Sequence, residues 1–148
     1  FAQNGGFLDP SFGNGGQVVT SITPGEDEAR TVAVQPDGKI LVAGFSSSVV
    51  TDRDFACVRY MPNGDLDSTF GVNGIVTTDM QLGSQDVANS MVLLNSGKFI
   101  LAGYSDDGLD AEAAMVRYNA NGSIDSTFGT NGSITAFVNQ ITISIHFT

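Results

Sequence analysis

The sequence has no tryptophan, one histidine, one cysteine and four prolines among its 148 residues. The single cysteine, Cys57, excludes an internal disulfide and any cysteine-based metal cluster. The single histidine, His146, excludes a histidine-rich zinc site, and nothing marks a serine or aspartate as its partner in a catalytic triad. Positive charge is scarce: six Lys plus Arg face sixteen Asp plus Glu, a net charge of −10. Such a surface repels phosphate backbones and anionic lipids, so nucleic acid is not an expected partner. No run approaches the roughly 18 apolar residues that a spanning helix needs, so membrane insertion is not expected either. Long helical periodicities are missing, and without Trp a carbohydrate-stacking platform is disfavoured.

What is abundant is glycine, with 18 residues. That is well above an average share of roughly 7%, and with so few prolines it reads as many tight turns rather than a linker. A hydrophobic fraction of 41% is normal for a folded chain. Short apolar runs alternate with Asn-Gly, Asp-Gly and Ser-Gly punctuation, which is the signature of an all-β protein. Cys57 falls in one such run, Phe55-Ala56-Cys57-Val58-Arg59-Tyr60, where a small buried thiol is expected.

The decisive feature is an internal repeat. Gly6-Phe7-Leu8-Asp9-Pro10-Ser11-Phe12-Gly13 recurs as Gly64-Asp65-Leu66-Asp67-Ser68-Thr69-Phe70-Gly71 and as Gly122-Ser123-Ile124-Asp125-Ser126-Thr127-Phe128-Gly129, 58 residues apart each time. Between these, residues 29–45 align with 88–104 at an offset of 59, and 54–60 align with 112–118 at 58. The one-residue slip is expected in the variable loops 46–53 and 105–111, because loops tolerate insertions and strands do not.

Each block has a physical reading. Pro36-Asp37-Gly38-Lys39 and Ser96-Gly97-Lys98 mark hairpin turns between apolar runs. Arg59-Tyr60 and Arg117-Tyr118 end a third strand, followed by Asn-Gly turns at 63–64 and 121–122. Asp9, Asp67 and Asp125 are expected to accept backbone N–H bonds and close an Asx-type turn, swinging Phe12, Phe70 and Phe128 inward as packing pegs for the next unit. A fourth strand is expected at 17–21, 75–79 and 133–137. Four short strands per unit, jointed by turns, is the layout of a propeller blade.

The run Asp37-Gly38-Lys39-Ile40-Leu41-Val42-Ala43-Gly44, then Arg59-Tyr60, Gly64, Leu66, Asp67, Phe70 and Gly71, resembles the delta-60 repeat, a family found in secreted bacterial proteins. The second copy matches through Gly97-Lys98-Phe99-Ile100-Leu101-Ala102-Gly103, Arg117-Tyr118, Gly122, Ile124, Asp125, Phe128 and Gly129, and departs at Asn95-Ser96. The resemblance implies a propeller-like β fold and export, often within a larger surface protein. It brings no catalytic residues with it.

The expected fold is therefore all-β: tandem four-stranded propeller-like blades in an incomplete ring of about two and a half repeats, with an extra C-terminal strand. Residues 1–148 form one domain, with repeat 1 at about 6–63, repeat 2 at about 64–121, and a partial repeat plus terminal strand at 122–148. In that last segment Ile141, Ile143, Ile145 and Phe147 alternate, giving a half-buried strand with one apolar face. An unclosed array leaves sheet edges and apolar faces at both ends, which recruit neighbours unless capped.

The functional expectation is a non-enzymatic, extracellular structural protein that self-associates through its end strands into a homo-oligomer or filament. The alternatives are a module that binds a glycan or protein through the loops 46–53 and 105–111, and a fragment of a larger surface propeller. Phe1-Ala2-Gln3 reads either as the tail of a signal peptide, which fits export, or as the arbitrary start of a fragment. No cofactor is expected. Calcium is the one metal weighed, with Asp106, Asp107 and Asp110 as its weak candidates and Thr51-Asp52-Arg53-Asp54 as a second cluster of oxygen donors, although neither spacing matches an EF-hand and solvated loop carboxylates explain both. Asn121-Gly122-Ser123 and Asn131-Gly132-Ser133 fit the glycosylation acceptor pattern, but turn chemistry explains the Asn-Gly pairs equally well.

Overall fold

A computed structural model describes residues 6–48 and 52–137. The terminal strand carrying Ile141, Ile143, Ile145 and Phe147, His146, and the Phe1-Ala2-Gln3 segment lie outside these residues. Among the described residues there is no helix.

Eight strands form two copies of one antiparallel meander. The first comprises β1 (Asp27–Val34), β2 (Ile40–Ser47), β3 (Arg53–Tyr60) and β4 (Ile75–Thr78). The second comprises β5 (Gln85–Leu93), β6 (Phe99–Asp106), β7 (Ala111–Tyr118) and β8 (Ser133–Phe137). One parallel bridge, Arg53 to Gln85, joins them, and the sheet does not close into a barrel. These are two propeller-like blades of an incomplete ring, the first of which spans 27–78 and so straddles the sequence repeat junction near Gly64.

The register is copied with the strands. Ala29 lies opposite Gly44 and Thr31 opposite Ala43, so Arg30 is an extra, bulged residue; Asn89 is bulged in the same way between Ala88 and Ser90. A Cβ at Gly44 or Gly103 would run into the carbonyl of Glu28 or Val87, which is why the residue opposite each bulge is glycine. The two bulged side chains meet across the blades, Arg30 Nη1 donating to Asn89 Oδ1 at 3.0 Å.

One expected strand is missing. Residues 17–21 form only an isolated bridge, Gln17 to Gly13, whereas 75–78 and 133–137 are strands. Both of those pair with the strand that precedes them, β3 or β7. Among the described residues the segment has no equivalent strand to pair with. The one-residue slip is also more exactly placed. Ile22 and Met80 occupy matching positions 58 apart, while Asp27 and Asp86 are 59 apart, so the extra residue enters in the loop between blades and leaves again in the 107–111 loop.

The core lies between the blades. Leu41, Ala43, Phe55 and Cys57 of the first blade pack on Phe99, Leu101, Ala114 and Val116 of the second, with Phe70 and Tyr118 closing the layer. Burial raises the Cys57 thiol far above its ordinary value, so it is a packing group and not a nucleophile.

Candidate functional site

Residues identical between copies converge on the seam between blades. Asp67 Oδ1 accepts from the Thr69 backbone N–H at 3.1 Å and the Thr69 hydroxyl at 2.6 Å; Asp125 does the same with Thr127 at 3.2 and 2.7 Å. Asp9 repeats the turn with Ser11 but is solvent-exposed. The second carboxylate oxygen of Asp67 meets two cations, Arg59 Nε at 2.8 Å and Lys39 Nζ at 3.1 Å. Asp125 meets Arg117 and Lys98, each at 2.7 Å.

Burial works against ionising Asp67, yet the Thr69 bonds, Lys39 and the Arg59 charge outweigh it and hold its carboxyl well below the usual range. For Asp125 the Lys98 bond leads, followed by Thr127, with the same outcome. This Lys–Arg–Asp clamp escapes sequence inspection because its members come from the hairpin turn, the third strand and the following turn. The recurrence of the three residue types in both copies, with the Arg-to-Asp spacing identical and the Lys-to-Arg spacing differing by one residue, was the available signal.

The clamp positions the aromatic residue. The Arg59 guanidinium lies over the Phe70 ring at 4.5 Å, and Arg117 over Phe128 at 4.8 Å. Phe70 is fully buried, 6.0 Å from Phe99, which stacks on Tyr118 at 5.0 Å. Phe12 and Phe128 are only half-buried, since each faces an outer side of the blade pair.

Three further contacts cross the seam, and two of them recur with the same spacing between the N-terminal segment and the first blade. The Tyr60 hydroxyl meets Thr20 Oγ1 and the Tyr118 hydroxyl meets Thr78 Oγ1, both at 2.7 Å. The Gly13 N–H donates to the Asn63 carbonyl and the Gly71 N–H to the Asn121 carbonyl, both at 2.8 Å. Arg59 Nη1 donates to the Ala120 carbonyl of the second blade. The Asn-Gly turns are therefore docking points, and Gly122 has no room for a Cβ, which would stand 2.9 Å from the Phe70 ring and 3.0 Å from the Gly71 nitrogen.

The two outer faces repeat the halves of this seam, and among the described residues neither is covered by a whole blade, the first carrying only the 12–20 segment. Val32, Val34, Ile40 and Val42 occupy the positions that in the second blade are Met91, Leu93, Phe99 and Leu101, all packed in the core. Here Val32 and Val34 are each 64% exposed, and a cleft of about 340 Å³ opens beside Phe12, Val18, Val42 and Tyr60. On the far side, Ile100, Ala102, Ala113 and Met115 correspond to Leu41, Ala43, Phe55 and Cys57 and are only half-buried.

Of the two acidic loops weighed for calcium, the one at 106–110 caps its own turn and the one at 51–54 lends Asp54 to a cluster. Asp106 Oδ1 caps the Gly108 N–H, and Asp107 Oδ1 caps those of Leu109 and Asp110, so the weak calcium candidates of this loop bind their own turn. Among the described residues the carboxylates that converge are instead Asp54, Asp79 and Asp86, with one oxygen of each within 4.8 Å of the others. Burial, reinforced by Asp79, Asp86 and Asp52, pushes Asp54 up to about 6.

Fold and seam together define a propeller-like β-repeat protein. Residues 35–70 and 94–128 match a family model described as a domain of unknown function (DUF5122) β-propeller. Each match runs from the first hairpin to the anchoring phenylalanine, so each contains one complete Lys–Arg–Asp–Phe clamp. The matches support a propeller-like β-repeat family. No curated protein and no solved structure matches the chain.

Proposed function

We propose that this chain is an exported, non-enzymatic structural module whose copies associate head to tail through the outer blade faces. One observation supports the reading above the others: the internal seam displays both halves of a joint, and the same two halves recur on opposite sides of the blade pair with no further blade over them among the described residues. A contact between unlike faces is heterologous, so it propagates from copy to copy into a ring or an open array. The residues that repeat serve packing, turn closure and docking, which supports a structural role over a catalytic one. Export and the finer assignment to the delta-60 repeats belong to the same proposal, carried by the quoted motifs and the acidic surface.

Sedimentation velocity across micromolar concentrations tests the proposal. Association gives either one discrete larger mass, for a ring, or a mass that grows with concentration, for an open array. A stable monomer throughout would overturn it.

A further inference from the structure

Asp86 is fully buried at the start of β5, its carboxylate accepting from the Met80 N–H at 2.6 Å and the Ser84 hydroxyl at 2.7 Å. Asp54 arrives from β3 of the other blade and Asp79 from the end of the β4 segment, so three elements deliver carboxylates to one point. Like charges this close repel strongly in a partly buried setting. Among the described residues no Lys or Arg forms an ion pair with any of the three.

The other blade shows how this corner is satisfied when no ion is needed. There Asp27 takes the place of Asp86, accepting from the Ile22 N–H at 2.8 Å, and Ser46 takes the place of Ser105. The Ser46 hydroxyl donates to Thr23 Oγ1 at 3.1 Å, and Thr23 in turn reaches Asp27 Oδ1 and the Ser47 carbonyl. In the second blade Gln81 replaces Thr23 and turns outward to Glu112 at 3.2 Å. Ser105, 1% exposed and directly opposite Asp86 in the register, is left with a buried hydroxyl that has no partner among the described residues. Cross-strand partners project from the same sheet face, so this hydroxyl points to the side that holds the Asp86 carboxyl. At the same step Ser21 becomes Asp79. The second corner has lost a neutral hydroxyl network and gained a carboxylate, Asp79.

We infer that Asp54, Asp79 and Asp86, with the Ser105 hydroxyl, form a calcium site that ties the first blade to the second. Oxygen-only donors, several of them carboxylate, drawn from three separate elements, suit calcium's irregular shell of six to eight ligands at 2.3–2.6 Å; magnesium demands a tighter octahedron. The inference is independent of the assembly proposal, since all four residues lie within one chain.

The test is calorimetry on the intact chain, stripped with chelator and titrated with calcium chloride or, separately, magnesium chloride. Calcium is expected to raise the melting temperature by about 3–6 °C for each tenfold excess over its dissociation constant, with magnesium weaker. Asp54→Asn is expected to raise the melting temperature of the stripped protein, because a repelling charge is gone, and to abolish the calcium response. Asp79→Asn, at an exposed position, repeats that test should Asp54→Asn fold poorly. Asp107→Asn, in the self-capped loop, is expected to leave the response intact. A wild-type melting temperature unmoved by calcium at about 10 mM, above the range of extracellular modules, would overturn the inference. So would a response lost equally in Asp107→Asn.

Discussion

Gly108 and Gly122 share a φ of +86°, yet one stands in open space and the other against the neighbouring blade. Alanine at Gly108 should therefore cost only the left-handed backbone strain, about 1–2 kcal/mol. Alanine at Gly122 adds a collision with Phe70, Val76 and the Gly71 backbone, a further ~1–3 kcal/mol. Urea denaturation of the two variants isolates the docking contribution, and equal losses would show that the turn does not seat tightly. A second pairing separates the two clamps. The Arg59 and Asp67 side chains are 7% and 4% exposed, so Arg59→Met leaves a buried carboxylate with Lys39 for its cation and should cost about 3 kcal/mol, the low end for a broken buried pair. Arg117 is 24% exposed, with no further turn over it among the described residues, and Arg117→Met should cost less than half as much. Both aspartates have folded-state values depressed below 3.8, so the stability they supply is present above that pH and is lost as pH falls beneath it. Acid titration followed by circular dichroism should show unfolding setting in below about pH 4, and Asp67→Asn should flatten that limb.

At the scale of strands and turns, what the sequence makes legible is whatever closes locally. The Asp67–Thr69 and Asp125–Thr127 turns join residues two apart, and the hairpin glycines carry their own conformational demand, so both can be read from a single line of text. The Lys39–Asp67 and Arg59–Ala120 contacts depend on where the meander brings distant turns together, which residue type alone does not report. The failure of residues 17–21 to form a strand has the same origin: their sequence is as apolar as that of β4, but a strand is a property of a pair. Comparing copies would have recovered part of what was missed. Thr20 and Thr78 each bind a tyrosine 40 residues on, whereas the third copy carries Ala136 at that position. Tyr118→Phe should accordingly cost about 0.5–1.5 kcal/mol in thermal unfolding, the ordinary value of a part-buried hydrogen bond. No loss would mean that the repeated Tyr–Thr pairs are incidental to blade stacking.

For the molecule as a whole, the two outer faces make a prediction that neither face makes alone. Val32 is largely exposed and Met115 half-exposed, so a lysine at either should cost the single chain little, its stem lying along the apolar surface. Because a head-to-tail joint needs one face of each kind, Val32→Lys spoils every joint in a homogeneous sample, and so does Met115→Lys. Mixed together, the variants retain one intact pairing: the undamaged Met115 face of one chain against the undamaged Val32 face of the other. Each variant alone should sediment as a monomer, and the equimolar mixture as a discrete dimer that cannot grow. If the association were instead like-to-like, across a two-fold axis, one of the two variants would still pair with itself. A self-pairing variant, or a mixture that stays monomeric, would show that the internal seam is no template for contacts between chains.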